Sequence, residues 1–198
     1  MKRIRIIGLA LVAVVAISAV AAASASAHEF KASENPGTLA GKQVSNQVFE
    51  TPGGTVTCKA DIVSGAITAL TTKKQVVKVK YSECTLFGFI GATVSEAEYE
   101  FEAEPSKTEG KVKILKEIKV KVKNCEVKVP APQGPLGPIE YLNSGTKMEV
   151  KAKVTAIKSS GIGPTGEGCK DYVDETAPKG KYTGNNLVEE IGGTIEYV

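Results

Sequence analysis

The stretch KVKILKEIKVKVKNCEVKVP, residues 111–130, carries seven lysines and a strict alternation of apolar and charged positions. The even positions up to 122 are apolar apart from Lys116, and the odd positions are charged apart from Leu115. A period of two residues indicates a β-strand with one buried and one solvated face. The local inversion predicts a bulge or twist at that pair. The change of phase after Asn124 predicts either a bulge or a tight turn.

The stretch just upstream, EAEYEFEAE at 96–104, is complementary in charge. The Pro- and Gly-containing segment 105–110 is typical of a hairpin loop, and closing it would place Glu104 opposite Lys111 and Glu102 opposite Lys113. Opposite charges across two strands contribute ~0.2–1 kcal/mol per pair. We therefore interpret the lysines as the wet face of a sheet, and a polyanion-binding stripe as the alternative.

The rest of the chain repeats this pattern in short segments, and no segment of a dozen residues shows helical periodicity. Alternation at 77–81, 147–156 and 195–198, with turn residues between, predicts an all-β fold: an antiparallel β-sandwich or a barrel-like sheet. In the segment 54–61 the pattern predicts two faces, with Gly54, Val56, Cys58 and Ala60 on one and Thr55, Thr57, Lys59 and Asp61 on the other. Two stretches are irregular. PAPQGPLGPIE, 130–140, is expected to be a crossover or surface loop, and 159–180 is the longest candidate loop.

The first 27 residues have the pattern of a secretory signal peptide. Lys2, Arg3 and Arg5 precede an apolar run, and Ala-Ser-Ala at 25–27 is a small-residue cleavage site. An uncleaved membrane anchor is the alternative, although alanine contributes little to insertion. We expect cleavage after residue 27, a secreted location, one domain over 28–198, and no stable membrane insertion after cleavage.

Removal of that segment changes the charge balance. It contains three basic residues and no acidic ones, so 22 basic residues remain against 22 acidic ones. All of the remaining cations are lysines, whereas the bidentate forks that read phosphates and base edges come from arginine. The composition therefore argues against a nucleic-acid partner.

Four cysteines in an exported chain predict two disulfides. Three connectivities are possible, and we favour Cys58–Cys84 with Cys125–Cys169. The first pair joins neighbouring alternating strands, with 64–66 as the turn between them, and the second would tether the long loop to the sheet. No C-x-x-C spacing is present and the only histidine is His28. A zinc or dithiol redox centre is not expected.

Few catalytic chemistries remain open. A Ser-His-Asp or Cys-His arrangement needs an imidazole inside the fold, and His28 lies at the expected mature N-terminus. Paired carboxylates could serve a glycosidase-like hydrolase, although solvated acids are the ordinary interpretation of such residues. A calcium site at Asp171, Asp174 and Glu175 has suitable ligands but lacks the loop pattern. The chain has no nucleotide-binding motif, and we predict no metal and no cofactor. The carboxylate candidates are Asp61, Glu140, Asp171, Asp174, Glu189 and Glu190.

The segment TLFGFIGATV, 85–94, is the candidate interaction patch. If it is a loop, it exposes Leu86, Phe87, Phe89 and Ile90 to a partner or lipid. If it is a strand, these side chains belong to the core, and this interpretation is the favoured one.

Five stretches of the chain form a distinctive set: FKASENPGTLAG (30–41), VFETPGGTVTCKADIVSGAI (48–67), VKYSECTLFGFIGATV (79–94), CEVKVPAPQ (125–133) and EYLNSG (140–145). Together they resemble a group of secreted, β-rich, uncharacterised actinobacterial proteins with no assigned activity. The resemblance covers most of 30–198 and implies export and a β architecture. It supplies no functional residue, and because members often carry further cysteines that this chain lacks, it gives no disulfide pairing.

The sequence thus predicts a secreted, disulfide-stapled, non-enzymatic β-protein with a surface interaction or structural role. Its partner would be an unknown extracellular or cell-surface molecule. The alternative is a small extracellular hydrolase that uses carboxylates. Two acids that converge in a concave pocket, one of them partly buried, would favour the hydrolase.

Overall fold

The computed structural model describes residues 28–51, 54–104, 108–162 and 179–198, and within these ranges the regular secondary structure is β-strand. The predicted all-β class is confirmed. In chain order the strands are β1 Phe30–Ala32, β2 Gly37–Thr51, β3 Gly54–Ile67, β4 Thr71–Thr72, β5 Lys74–Leu86, β6 Ile90–Val94, β7 Ala97–Ala103, β8 Glu109–Ile114, β9 Ile118–Val122, β10 Cys125–Val129, β11 Gln133–Ser144, β12 Lys147–Ile157, β13 Ser160–Ile162, β14 Gly180–Glu190 and β15 Ile195–Tyr197.

Eight of these strands form a closed antiparallel barrel, in the order β5, β3, β2, β14, β12, β11, β8, β7. Strand β7 closes it. On one edge Phe101 lies opposite Val112 of β8, and on the other Tyr99 lies opposite Val77 of β5. Closure removes the unpaired edges that an open sheet would present. Of the two architectures that the alternation allowed, the barrel is the observed one.

The alternation in β12 shows how the sequence fills the barrel. Met148, Val150, Ala152 and Val154 are buried, and the residues between them lie on the outer face. Each Val or Met side chain that leaves water in this way contributes ~1.5–3 kcal/mol. The pattern that predicted the strand is therefore the one that builds the interior wall.

A four-stranded arm, made of β6, β9, β10 and β13, extends from β5. The first half of β5 pairs with β7, whereas Cys84 to Leu86 pair with β6. The buried Val120 and Val127 of the arm line a small space together with Val56 and Leu86 of the barrel. About 50 Å³ of this space can hold the centres of water-sized molecules. The arm thus packs its apolar face on the ends of β3 and β5.

The two ends of the barrel are covered by different elements. A small sheet in the order β15, β1, β4 brings Phe30 and Ile195 against the interior, where both are 2% exposed. Ile118 and Val129 at the base of the arm line the interior near Ile157, at the opposite end of β12. The fold therefore has a small-sheet end and an arm end.

The β7–β8 hairpin forms, but its predicted register is wrong by two residues. Glu102 lies opposite Lys111 and Glu100 opposite Lys113. The expected ion pairs still exist as diagonal neighbours, with Lys113 Nζ 2.6 Å from Glu102 Oε1 and Lys111 Nζ 3.4 Å from Glu104 Oε1. A shift of two keeps every side chain on its face, so alternation could not distinguish the two registers.

Gly110 explains the observed register. A Cβ at this position would lie 2.6 Å from Cε2 of Tyr141 and would also overlap the backbone oxygen of Glu102. Only a glycine therefore fits where β8 passes under the Tyr141 ring, opposite Ala103.

The opening stretch is interrupted at both predicted places, but the bulge or twist predicted at Leu115 and Lys116 is wrong, because β8 ends before this pair and β9 begins after it. The chain leaves the barrel between Ile114 and Ile118, so β8 and β9 belong to different parts of the sheet. The change of phase after Asn124 is a tight turn, because Val122 pairs with Cys125 across two loop residues. Lys123 takes the left-handed conformation in this turn, with φ of 50°.

The Pro- and Gly-rich segment 130–140 was expected to be a loop, and this prediction is wrong from Gln133 onward. Strand β11 starts there and pairs with β8 through two register shifts, on either side of Leu136. Proline lacks an amide hydrogen and is tolerated where a ladder is interrupted in this way. The irregular composition therefore marks bulges in a barrel strand.

The Cys58–Cys84 disulfide is confirmed, with the two Cα atoms 3.9 Å apart on directly opposed positions of β3 and β5. The expected turn at 64–66 is wrong, because β3 continues to Ile67. Cys125 is disulfide-bonded. Its predicted partner Cys169 lies outside the described residues.

Candidate functional site

The barrel interior contains a space that its side chains do not fill, here called the barrel cavity. The space free of atoms is about 1010 Å³, including the part open to solvent, and about 90 Å³ can hold the centres of water-sized molecules. One water needs ~10–15 Å³ by that measure. The cavity therefore has room for a small organic molecule. Apolar residues from opposite walls line it, among them Leu39, Val79, Ile114 and Val150.

A chain of polar side chains, here called the polar row, crosses part of the interior. The buried hydroxyls of Tyr81 and Tyr99 are 2.9 Å apart. The hydroxyl of Tyr182 also interacts with that of Tyr81, and it donates a hydrogen bond to Oε1 of Gln47. The remaining side chains of the polar row lie on β2, β14 and β3, in the wall of the barrel.

The second half of the polar row ends on a buried carboxylate. Gln47 Nε2 donates to Asn186 Oδ1 at 2.6 Å, and Asn186 Nδ2 donates to Asp61 Oδ2 at 2.9 Å. Burial raises the pKa of Asp61, and hydrogen bonds from Asn186 and the Gln43 backbone offset only part of this effect. Because Asn186 uses its amide hydrogens on Asp61 and its oxygen on Gln47 Nε2, the free Oε1 of Gln47 accepts the hydrogen bond from the Tyr182 hydroxyl.

Asp61 was predicted on the outer face, and this prediction is wrong: the residue is 4% exposed. The buried positions of β3 change parity between Cys58 and Asp61. The pairing of β2 with β3 shifts register at the same level, between Lys42 and Gln47. A bulge inserts extra residues and turns the following side chains to the other face.

The other buried carboxylate holds the small-sheet end together. Glu190 is 3% exposed and accepts hydrogen bonds from the backbone N–H and hydroxyl of Ser33, both at 2.8 Å, and from the backbone N–H of Glu34 at 2.9 Å. Burial alone would raise the pKa of Glu190, but these donors hold it below its usual value. This carboxylate anchors the chain around β1 to the end of β14.

The remaining carboxylate candidates do not join these two. Glu140 is exposed, and Glu189 forms an ion pair with Lys147 at the surface. Within the described residues, the hydrogen-bond partners of Asp61 and Glu190 are amide, hydroxyl and backbone donors rather than a second carboxylate. Asp171, Asp174 and Glu175 lie outside the described residues.

The candidate interaction patch is a hairpin tip rather than a continuous core strand. Strand β5 ends at Leu86, which is buried, and β6 begins at the half-buried Ile90. Between them Phe87 is 54% exposed and Phe89 78% exposed. Phe87 and Phe89 are here called the hairpin tip. The favoured interpretation as a core strand is therefore wrong for these two residues.

The sequence analysis missed Gln47 and Asn186, and Tyr81 entered it only as the last residue of the alternating segment 77–81. The available signal for Tyr81 was its parity with Gln75, Val77 and Val79. Nothing comparable marks Gln47, because the bulge in β2 precedes it.

Two further findings bound the site. Among the described residues there is no helix long and apolar enough to span a bilayer. In the same ranges no group of three His, Cys, Asp or Glu side chains is placed to hold a metal ion. Comparison of the chain with protein-family models, curated proteins and solved structures gave no match.

Proposed function

We propose that this chain is an exported, non-enzymatic binding protein that holds a small, largely apolar molecule inside its barrel. The barrel cavity carries this proposal. Eight-stranded barrels have interiors just wide enough to be filled by side chains or to hold one small ligand. Here part of the interior stays unfilled and its walls are mainly apolar. Such cavities bind apolar molecules because both surfaces leave water.

Export rests on the pattern of residues 1–27 and on the disulfide. The Cys58–Cys84 bridge lies between two barrel strands. Bridges of this kind persist in oxidising compartments and are rare in the cytosol. The proposed ligand would then be an extracellular molecule.

A cavity-filling substitution tests the proposed function. Ala152 lines the barrel cavity on β12, and Ala152→Leu would place a branched side chain in the free space. We expect the purified protein to bind methylenecyclohexane, a neutral hydrocarbon ring, and Ala152→Leu to weaken binding at least tenfold by occupying the same volume. Binding is measured by NMR titration of the Met148 methyl group, which also lines the cavity.

Ala66→Leu is the matched control, because Ala66 lies on the exposed face of β3. It should bind the ring as the unsubstituted protein does. Circular dichroism establishes that each variant is folded. Absence of binding to the unsubstituted protein, or equal binding by Ala152→Leu, would contradict the proposed function.

The hairpin tip favours a second candidate function, a surface interaction with a cell-surface partner. Phe87 and Phe89 are both more than half exposed and close together in the chain, and contiguous exposed apolar surface is a feature of protein and membrane interaction sites. We expect Phe89→Ser to change the free energy of unfolding by less than ~0.5 kcal/mol, because the side chain is largely in water. The same variant should reduce the cell-bound fraction of the exported protein several-fold, as measured by quantitative immunoblot of washed cells and supernatant. Val44→Ser is the control, because Val44 is 58% exposed elsewhere on the barrel; equal cell-bound fractions for both variants would reject this function.

A further inference from the structure

Tyr141 places a hydroxyl at the small-sheet end of the barrel cavity. The residue is 2% exposed and lines the cavity, and its hydroxyl has no hydrogen-bond partner among the described residues. The ring cannot turn to solvent, because Phe30 packs edge-on against it at 5.0 Å and Tyr197 lies at 4.6 Å on another side. The hydroxyl is therefore held inside the barrel.

The other polar groups in the cavity wall differ from Tyr141 in this respect. Tyr81, Tyr99, Tyr182 and Asn186 belong to the polar row and bond one another or its other members. Gln75 donates to the backbone oxygens of Ala66 and Val76 at 3.0 and 2.9 Å. A buried donor left without an acceptor is destabilising, because it has lost its hydrogen bonds to water without replacement. Among the described side chains that line the barrel cavity, Tyr141 is thus the one with a buried polar atom that has no hydrogen-bond partner.

We infer that the barrel cavity takes a neutral, largely apolar molecule carrying a carbonyl, ether or hydroxyl oxygen that accepts a hydrogen bond from Tyr141. This inference rests on the proposed function and adds the polar anchor. The bulk of the molecule would contact the aliphatic side chains beside Tyr141, among them Met148, Val188 and Ile195, which line the same end of the cavity.

Charge and protonation narrow the ligand class. No lysine is among the described residues that line the cavity. An anion bound there would be buried without a cation from this lining to pair with, which is unfavourable. Burial raises the pKa of Tyr141, so its hydroxyl stays protonated and acts as a donor to a neutral oxygen. These two facts favour an uncharged acceptor over a carboxylate or phosphate.

A pair of nearly isosteric probes tests the anchor. Cyclohexanone and methylenecyclohexane share a six-membered ring and differ by an oxygen in place of a CH₂ group. In Tyr141→Phe, the dissociation constant for cyclohexanone should rise about 3- to 10-fold, the loss of one net hydrogen bond. That for methylenecyclohexane should change less than twofold. Because the hydroxyl has no hydrogen-bond partner to lose in the described part of the chain, Tyr141→Phe should unfold at the same temperature or slightly above.

Tyr197→Phe is the matched control. Its ring packs on Tyr141, but Tyr197 is not among the cavity-lining residues. It should leave both dissociation constants unchanged. Selective loss of cyclohexanone binding in Tyr141→Phe alone supports the anchor. Equal losses for both probes, or none for either, would overturn it while leaving the proposed function intact; failure of both probes to bind the unsubstituted protein would instead remove the proposed function.

Discussion

Gly110→Ala should lower the free energy of unfolding by ~3 kcal/mol or more, the upper range for overpacking a core. The added methyl would lie 2.6 Å from Cε2 of Tyr141 and overlap the backbone oxygen of Glu102. A flexible side chain could move away from such a contact. The Glu102 backbone belongs to β7, the strand that closes the barrel, so moving it would disturb the pairing of this strand with β8.

Urea denaturation followed by circular dichroism measures this effect. Gly91→Ala on β6 is the matched control, because a Cβ there meets nothing within 4 Å and its backbone is not left-handed. That variant should be within ~1 kcal/mol of the unsubstituted protein, and on the stabilising side, because alanine has fewer unfolded conformations than glycine. Equal stability of the two alanine variants would mean that Gly110 does not determine the register.

Gly184→Ala should lower the free energy of unfolding by nearly as much, ~3 kcal/mol, because the added methyl group would overlap side chains of the polar row. Its Cβ would overlap Oε1 of the fully buried Gln47 and lie 2.6 Å from the Tyr182 hydroxyl. The Gln47 amide would have to rotate away. That movement would leave Tyr182 and Asn186 without their buried partner.

A double-mutant cycle separates this clash from a general intolerance at position 184. Gln47→Ala removes the oxygen atom that the added methyl group would overlap. The double variant Gly184→Ala with Gln47→Ala should therefore lose little more unfolding free energy than Gln47→Ala alone. Differential scanning calorimetry or urea denaturation of the three variants gives the coupling. Strictly additive losses would show that the steric conflict lies elsewhere.

The strand content of this chain could be predicted because alternation is a local property. Each of these strands has one apolar and one wet face, so segments such as 77–81 and 147–156 can be recognised as strands from their own residues. The Cys58–Cys84 pair was favoured among three connectivities and is present, although the turn at 64–66 that supported it is not. The turn at Lys123 and Asn124 was visible as a change of phase.

The candidate site could not be predicted, because it depends on interruptions of that pattern. Alternation placed Asp61 on the outer face of β3. The register shift between Lys42 and Gln47 on β2 accompanies a change in which residues of β3 face the interior, and the sequence did not reveal it. Tyr141 looked like any strand tyrosine. Its position over Gly110, and the absence of a hydrogen-bond partner for its hydroxyl among the described residues, depend on segments that are distant in the sequence.

The sequence by itself indicated the all-β class, most of the strands with their wet and dry faces, and the β7–β8 hairpin, and it favoured one disulfide that is present. The tertiary structure decided the register of that hairpin, the pairing of β7 with β5 that closes the barrel, and the space left inside. The physical reason is that a period of two specifies faces but not partners. A shift of two residues in the pairing of two strands leaves every side chain on its face. Only contacts between distant segments, such as that of Tyr141 with Gly110, therefore distinguish one register from another.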